Sequence, residues 1–238
     1  MTGEKQGLIE VRNVTFSYSI NAGLFRNSVH TPLKDISFAL YRGQTTGIIG
    51  RNGVGKSTLL RLIAGILEPD SGSIKKGDAV VSLLSLGLGF VQHLSGRQNA
   101  MLSGILLGLR RKEIARKMDS IIEFSGLGEF IDRPLHTYSS GMRARLGFSV
   151  AIQVDPDVLL IDEILGVGDE EFRVKSTTEM KRLIKSDKTV VMVSHNLPLL
   201  RELCDNLIWI DNGVIEQEGP PSGVLERYIA RYAPGKRA

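Results

Sequence analysis

Residues 50–58, with the sequence GRNGVGKST, combine closely spaced glycines with a lysine and two hydroxyl side chains. They match the pattern G-x-x-x-x-G-K-S/T and lie between an apolar run and a stretch with apolar residues at helical spacing. Glycines in this pattern let the backbone wrap around phosphate groups, the lysine reaches the β and γ oxygens, and the serine can coordinate Mg²⁺. The sequence therefore predicts a phosphate-binding loop with contacts from Gly50, Asn52, Gly53, Gly55, Lys56, Ser57 and Thr58.

Two later apolar runs each end in side chains that can move protons or hold a cation. The run VLLIDE ends in Asp162 and Glu163, and the run VVMVS is followed by His195. Beside a phosphate loop, Asp162 can coordinate Mg²⁺ through water, and Glu163 can act as the general base. His195 can hydrogen-bond the terminal phosphate and the attacking water. The alternatives are a strand-end cap for the acidic pair and a loop or capping role for the histidine.

A second anion-binding helix start is predicted at residues 137–151, TYSSGMRARLGFSVA. The small-residue turn Ser139-Ser140-Gly141 opens a helical pattern. Backbone N–H groups at a helix start have no partner within the helix and therefore favour anions. The chain thus carries two such sites, and the second does not belong to the phosphate loop.

Composition restricts the function classes that remain. The chain has 238 residues, a formal net charge of +4 and a single cysteine, Cys204, which excludes an internal disulfide. Its basic clusters contain interspersed acidic residues and lack aromatic residues for base stacking, so nucleic-acid binding is not expected. The polar start, MTGEKQG, predicts no signal peptide, and the longest apolar run is too short to cross a bilayer. Any work at a membrane is then expected to need a partner.

Strand and helix patterns alternate along the chain and predict an α/β core with a helical insertion. Strands are predicted at 8–18 and within 33–50, separated by a turn-rich loop at 19–32. Buried strands are predicted within 155–163 and 188–196, and a hairpin at 206–219. We divide the chain into a core (about 1–94 and 154–220), a helical subdomain (about 95–153) and a C-terminal helix and tail (221–238).

The order of these motifs over nearly the whole chain resembles that of the ATP-binding-cassette ATPases. YSSGMRARL resembles the family signature at Ser139, Gly141 and Arg145. The resemblance implies a P-loop NTPase core with an inserted helical subdomain and an N-terminal antiparallel β portion. It implies ATP and Mg²⁺ as ligands and a head-to-tail homodimer. In such a dimer the helix start at Ser139 caps the γ-phosphate of the nucleotide held by the other subunit.

The same resemblance implies roles for further residues. Tyr18 matches the aromatic residue that stacks on adenine, although a core or edge-strand tyrosine is an equal alternative. Asp169 matches the aspartate of the loop that meets the partner subunit. The glutamine that senses Mg²⁺ in transporters is Gln92 if the loop is shortened, and otherwise a neighbour such as His93 fills that role.

Departures from the common family pattern, including YSSGM and LGVGDEEF, resemble the ATPase subunits of bacterial polysaccharide exporters. That group implies export of a lipid-linked glycan by two copies of a separate membrane subunit, with this chain at the cytoplasmic face of the inner membrane. O-antigen is the expected cargo, with teichoic acid or capsule as alternatives, and a non-transport cassette ATPase or a lone P-loop kinase or GTPase as competing classes. Because only residues 221–238 follow the last predicted hairpin, no C-terminal carbohydrate-binding domain is expected. The 19–32 segment, with Leu24 and Phe25, is either a contact surface or a tolerated loop.

Overall fold

The computed structural model describes residues 7–21, 27–163 and 168–232. Its strands are β1 (Gly7–Asn21), β2 (Asn27–Tyr41), β3 (Thr45–Ile49), β4 (Ser71–Lys75), β5 (Val81–Leu84), β6 (Val158–Asp162), β7 (Thr189–Val193), β8 (Asn206–Asp211) and β9 (Val214–Gly219). Its helices are α1 (Lys56–Ala64), α2 (Gly96–Leu106), α3 (Arg111–Ser125), α4 (Ser140–Ala151), α5 (Glu170–Ile184), α6 (Leu197–Leu203) and α7 (Pro221–Tyr232). Within these ranges, no helix is both long and apolar enough to cross a membrane.

A three-stranded antiparallel sheet forms the N-terminal part of the chain, in the order β2-β1-β4. β1 and β2 pair far beyond their predicted ends: Tyr18 lies opposite His30, and Ser19 lies opposite Val29. The predicted loop over 19–32 is therefore wrong for most of its length, because cross-strand pairing overrides the turn preference of its polar residues. Leu24 and Phe25 lie outside the described residues.

The second sheet has the order β5-β6-β7-β3-β8-β9. β6, β7, β3 and β8 run parallel, and β9 pairs antiparallel with β8. β3 and β7 are buried along their whole length, and β6 is buried up to its final residue. This confirms the predicted buried strands and the 206–219 hairpin. Because parallel strands end at the same edge, the residues that follow β3, β6 and β7 emerge side by side.

One apolar core joins both sheets to α1. The inward residues of α1 are Leu59, Leu60 and Ile63, and all are fully buried. They share this core with Ile9 of β1 and Ile48 of β3. The helical pattern predicted after the phosphate loop is therefore present, and burial of its apolar face fixes the start of α1 against the end of β3.

A second compact unit contains α2, α3, α4 and most of α5, from residues 84–156 and 164–183. Its core includes Ile114, Ile121 and Leu146, all fully buried. The sequence-based division placed α5 with the sheet core. In the structure Phe172 of α5 instead contacts Phe124 and Phe148 edge-on, with ring centroids 5.7 and 5.9 Å away, so α5 belongs with the helices.

Gly47 in β3 provides a test of the central packing. A Cβ at this position would lie 2.4 Å from Leu207 Cδ2 and 2.8 Å from Cys204 Sγ. We expect Gly47→Ala to lower the free energy of unfolding by about 1–3 kcal/mol, because a packed interior resists added volume. Urea unfolding followed by circular dichroism measures this difference.

Gly223 in α7 is the matched control, since a Cβ there meets no atom within 4 Å. Gly223→Ala should leave stability unchanged or raise it by less than about 1 kcal/mol, because alanine favours helix. Equal unfolding midpoints for the two variants would contradict the packing described for β3.

Candidate active site

A cleft of about 580 Å³ lies where β3, β6 and β7 end. It is lined by most of the residues that the sequence predicts to bind or cleave a nucleotide. These are Tyr18, Asn52, Gly53, Gly55, Lys56, Ser57, Thr58, Asp162, Glu163 and His195. The remaining lining residues are His30, Pro32 and Val193. The cleft is of the size that binds small molecules.

The loop between β3 and α1 has a backbone that only glycine tolerates easily. Gly53 and Gly55 have φ angles of 81° and 101°, in the left-handed region. A Cβ on Gly55 would also lie 3.0 Å from the carbonyl oxygen of Pro32. The first intrahelical hydrogen bond of α1 runs from Leu59 N to Gly55 O, so the preceding N–H groups remain available to an anion.

Lys56 is the first residue of α1, directly after this loop, and only 7% of its surface is exposed. Its Nζ donates hydrogen bonds to the carbonyl oxygens of Gly50 (2.8 Å) and Arg51 (3.0 Å). Burial lowers the pKa of the Lys56 ammonium, and the nearby carboxylates of Glu163 and Asp162 oppose that change. A buried cation beside free N–H donors suits a polyanionic ligand such as a nucleotide phosphate chain.

Ser57 and Asp162 supply the oxygen ligands that Mg²⁺ prefers. Ser57 is the second residue of α1, and Asp162 is the last residue of β6, and both line the cleft. With this hydroxyl and this carboxylate beside a phosphate site, water and phosphate oxygens would complete the ligands of Mg²⁺. The residues present therefore fit a magnesium nucleotide.

Glu163 and His195 form a direct pair, with 2.6 Å between Glu163 Oε1 and His195 Nε2. The backbone of Glu163 is left-handed, with a φ angle of 56°, and its N–H donates to the carbonyl oxygen of Val193 at 3.1 Å. Such a conformation costs a non-glycine residue about 1–3 kcal/mol and persists where surrounding contacts enforce it. The sequence predicts a role for each residue separately. The structure brings the two side chains into contact because β6 and β7 are neighbours in the sheet.

Tyr18 lines the cleft and also packs on the core, and its stacking on adenine stays a prediction. Its hydroxyl lies 3.2 Å from Thr58 Oγ1, and it lines the cleft. Its ring also meets Phe16 edge-on, with centroids 4.9 Å apart, and packs on the apolar core. His30 lies opposite Tyr18 in the strand register and lines the same cleft. Sequence analysis missed His30 because it fell within the predicted loop.

The second predicted helix start is present in the helical unit. Ser139 caps α4, and its Oγ accepts a hydrogen bond from Met142 N at 3.1 Å. Ser139 and Gly141 line a smaller cavity of about 220 Å³ together with Arg145 and Asp169. The guanidinium of Arg145 pairs with Asp169, whose other carboxylate oxygen accepts from Phe172 N at 3.1 Å and caps α5. The sequence did not predict this ion pair.

Gln92 is exposed, and its backbone carbonyl accepts a hydrogen bond from His136 N at 2.9 Å. His93, the alternative magnesium-sensing residue, is exposed as well. The magnesium-sensing role of Gln92, or of His93 in its place, stays a prediction.

Comparisons with known proteins all indicate the same family. The family model described as ABC transporter matches residues 33–166. An O-antigen export system ATP-binding protein, RfbB, of Klebsiella pneumoniae is 46% identical over 205 residues, which cover 86% of this chain and 83% of that protein. RfbB of Myxococcus xanthus is 50% identical over 84% of this chain and 46% of its own length. The teichoic acids export ATP-binding protein TagH of Enterococcus faecalis is 44% identical over 87% of this chain and 46% of its own length.

The chain thus spans about half the length of the Myxococcus and Enterococcus relatives. Among solved structures, a dimeric post-hydrolysis state of the ATP-binding cassette MJ0796 bound to ADP and Pi matches with a TM-score of 0.71 and 21% identity, over 90% of this chain and 98% of that one. An ATP binding subunit of an ABC transporter matches with a TM-score of 0.72 and 20% identity, over 95% of both chains. These likenesses confirm the predicted fold class.

The family match over residues 33–166 and the Klebsiella relative indicate the same family. The phosphate loop, the acidic pair and the helix start at Ser139 agree with that family. This chain belongs to the ABC transporter family.

Proposed function

We propose that this chain is the ATP-hydrolysing subunit of a transporter that exports a lipid-linked polysaccharide, with O-antigen as the preferred cargo. The observation that carries the catalytic part is the meeting of buried Lys56, the acidic pair and His195 in one cleft. The relatives named for O-antigen export, at 46% and 50% identity, support the cargo. The TagH relative at 44% identity makes teichoic acid the second candidate.

Nucleotide binding begins at the phosphate loop. Lys56 keeps its hydrogen bonds to the Gly50 and Arg51 carbonyls and directs its third N–H to phosphate oxygens, and the N–H groups at the start of α1 hold the same phosphates. Ser57 and Asp162 would hold Mg²⁺, which would shield the charge of the phosphate chain. Tyr18, at the edge of the cleft, stacks on the adenine.

Hydrolysis depends on the Glu163–His195 pair. The Glu163 carboxylate accepts the proton of the attacking water, and the hydrogen bond from His195 Nε2 fixes the orientation of that carboxylate. His195 is half-exposed in the cleft, so its ring also reaches the terminal phosphate. A base and its orienting partner held by adjacent strands need little rearrangement before reaction.

A second copy of the chain completes the site. The N–H groups at the start of α4, with Ser139 and Gly141, cap the terminal phosphate of a nucleotide held by the partner. The exposure of Ser139 and the cavity beside Arg145 and Asp169 support this role. ATP then joins two copies head to tail, with the Asp169 loops at the interface, and hydrolysis releases them.

The two copies would act on an integral membrane subunit, itself present twice, at the cytoplasmic face of the inner membrane. Nucleic acid has no place in this proposal. Opening and closing of the ATPase dimer supplies the work that moves the glycan, so chemistry at the cleft and transport at the membrane are linked.

Glu163→Gln tests the assignment of the base. The amide keeps the size of the side chain but accepts a proton poorly, so we expect ATP binding to persist while turnover falls by about 10²-fold or more. Steady-state phosphate release and a fluorescent ATP analogue measure the two properties. Glu68→Gln, an exposed change outside the cleft, is the control. Wild-type turnover in Glu163→Gln would refute the base assignment.

Ser139→Arg tests the shared site. A bulky cation at the start of α4 would block the approach of a second copy, so ATP should no longer produce a dimer. We would measure this by size exclusion with light scattering, in the Glu163→Gln background so that ATP is retained. Ser222→Arg, an exposed serine at the start of α7, should dimerise normally. Dimerisation of the Ser139→Arg protein would remove α4 from the site.

A pull-down tests the transport assignment. Tagged Glu163→Gln protein, loaded with ATP and extracted gently from native membranes, should co-purify with a multi-helix membrane protein that carries a glycolipid. Mass spectrometry of the glycan then separates O-antigen from teichoic acid. Recovery of an ATP-bound dimer free of membrane protein would favour a non-transport ATPase of the same family.

A further inference from the structure

The last turn of α7 packs on β8 through an aromatic cluster. The Trp209 ring of β8 contacts the rings of Tyr228 and Tyr232, with centroids 5.5 and 6.2 Å away. The two tyrosine rings are 5.1 Å apart. Val224 and Leu225, earlier in α7, are buried, so the helix is anchored along its length. Aromatic pairs prefer specific ring geometries, so these contacts favour one position for the end of α7.

A buried carboxylate lies beneath this turn. Asp211, at the end of β8, is only 5% exposed. Arg231 Nη2 lies 3.0 Å from Asp211 Oδ2, and Arg231 Nη1 lies 2.6 Å from Glu216 Oε1. Burial raises the pKa of the Tyr232 hydroxyl, and the nearby Asp211 carboxylate raises it further. The final turn of α7 thus supplies the Arg231 cation to a charge that would be costly to bury alone.

The same turn reaches the phosphate loop. The guanidinium carbon of Arg51, the second residue of that loop, lies 5.7 Å from the centroid of the Tyr232 ring. The backbone carbonyl of Arg51 accepts the hydrogen bond from Lys56 Nζ. Gly50 packs against β8 so closely that a Cβ there would lie 2.4 Å from Ile210 O. The start of the loop therefore packs against β8 on one side, and the side chain of Arg51 contacts Tyr232 on the other.

We propose that Tyr232 is a positioning residue for the phosphate loop, acting through Arg51 on the loop backbone that faces Lys56. The aromatic ring holds the Arg51 side chain, and the rings of Trp209 and Tyr228 hold the Tyr232 ring in place. Arg51 then presents its carbonyl to Lys56 from a fixed position, and the loop is shaped for a nucleotide before one binds. This inference rests on the nucleotide site proposed above, and it makes the end of α7 part of that site.

A double-mutant cycle on the full-length chain tests the coupling, with a fluorescent ATP analogue and Mg²⁺ as the probe. We expect Arg51→Ala and Tyr232→Leu each to weaken nucleotide binding by about three- to tenfold, the range of a cation–π contact. The double variant should bind no more weakly than the weaker-binding single variant, because both changes remove one interaction. Tyr232→Phe keeps the ring over Arg51 and should bind within about twofold of the unaltered chain.

Ile229→Ala is the control, since Ile229 lies in the last turns of α7 and is 46% exposed. It should bind nucleotide normally, and thermal melts should show all variants folded. Multiplicative losses in the double variant, or unchanged binding in Tyr232→Leu, would overturn the inference while leaving the proposed function intact. Absence of nucleotide binding by the unaltered chain would overturn the proposed function, and this inference with it.

Discussion

Parallel pairing of β6, β7 and β3 is the constraint on which the candidate site depends. Residues on neighbouring strands keep a fixed register: Asp162 lies opposite Val193, and Ile48 lies opposite the same valine. The phosphate loop, the acidic pair and His195 therefore leave one sheet edge within reach of each other, although the loop precedes the other two by more than a hundred residues. Any strand slip would move these groups apart, and burial on both faces of β3 and β7 prevents such a slip.

The proposed catalytic and phosphate-binding groups at this edge are held by strained or costly local arrangements. Glu163 adopts a left-handed backbone, and Lys56 buries an ammonium group against loop carbonyls. Both arrangements are unfavourable for an isolated peptide and are tolerated because the sheet and α1 determine them. The folding free energy of the core therefore holds these side chains in position before a ligand binds. Tyr232 and Arg51 extend the same support to the outer side of the loop.

Local sequence patterns predicted most of the fold because the relevant signals are short in range. The glycine pattern around Lys56, the apolar runs before Asp162 and His195, and the small turn at Ser139 each specify their own element. Pairings between distant elements were not predictable in this way. The Glu163–His195 contact, the Arg145–Asp169 ion pair and the place of α5 in the helical unit all depend on which strands and helices are neighbours.

For residues 19–32, by contrast, the local sequence pattern predicted a loop where most residues form strands. Serines and asparagines there favour turns, yet β1 and β2 remain paired through Tyr18 and His30 up to Asn21 and Asn27. Composition predicts local preference, whereas a long antiparallel ladder stabilises each added pair once the register has been set by buried residues such as Val14 and Ile36. His30 consequently reaches the cleft beside Tyr18, which no local pattern indicated.

Single-turnover ATP hydrolysis tests the central claim most directly, namely that Glu163 and His195 act as one unit. Rates would be compared for Glu163→Gln, His195→Ala and the double variant, each saturated with ATP and Mg²⁺. We expect a large loss in each single variant and a loss in the double variant that is far smaller than the product of the two, because His195 acts mainly through the Glu163 base. Losses that multiply in the double variant would contradict this claim and would leave His195 acting only through its contact with the terminal phosphate.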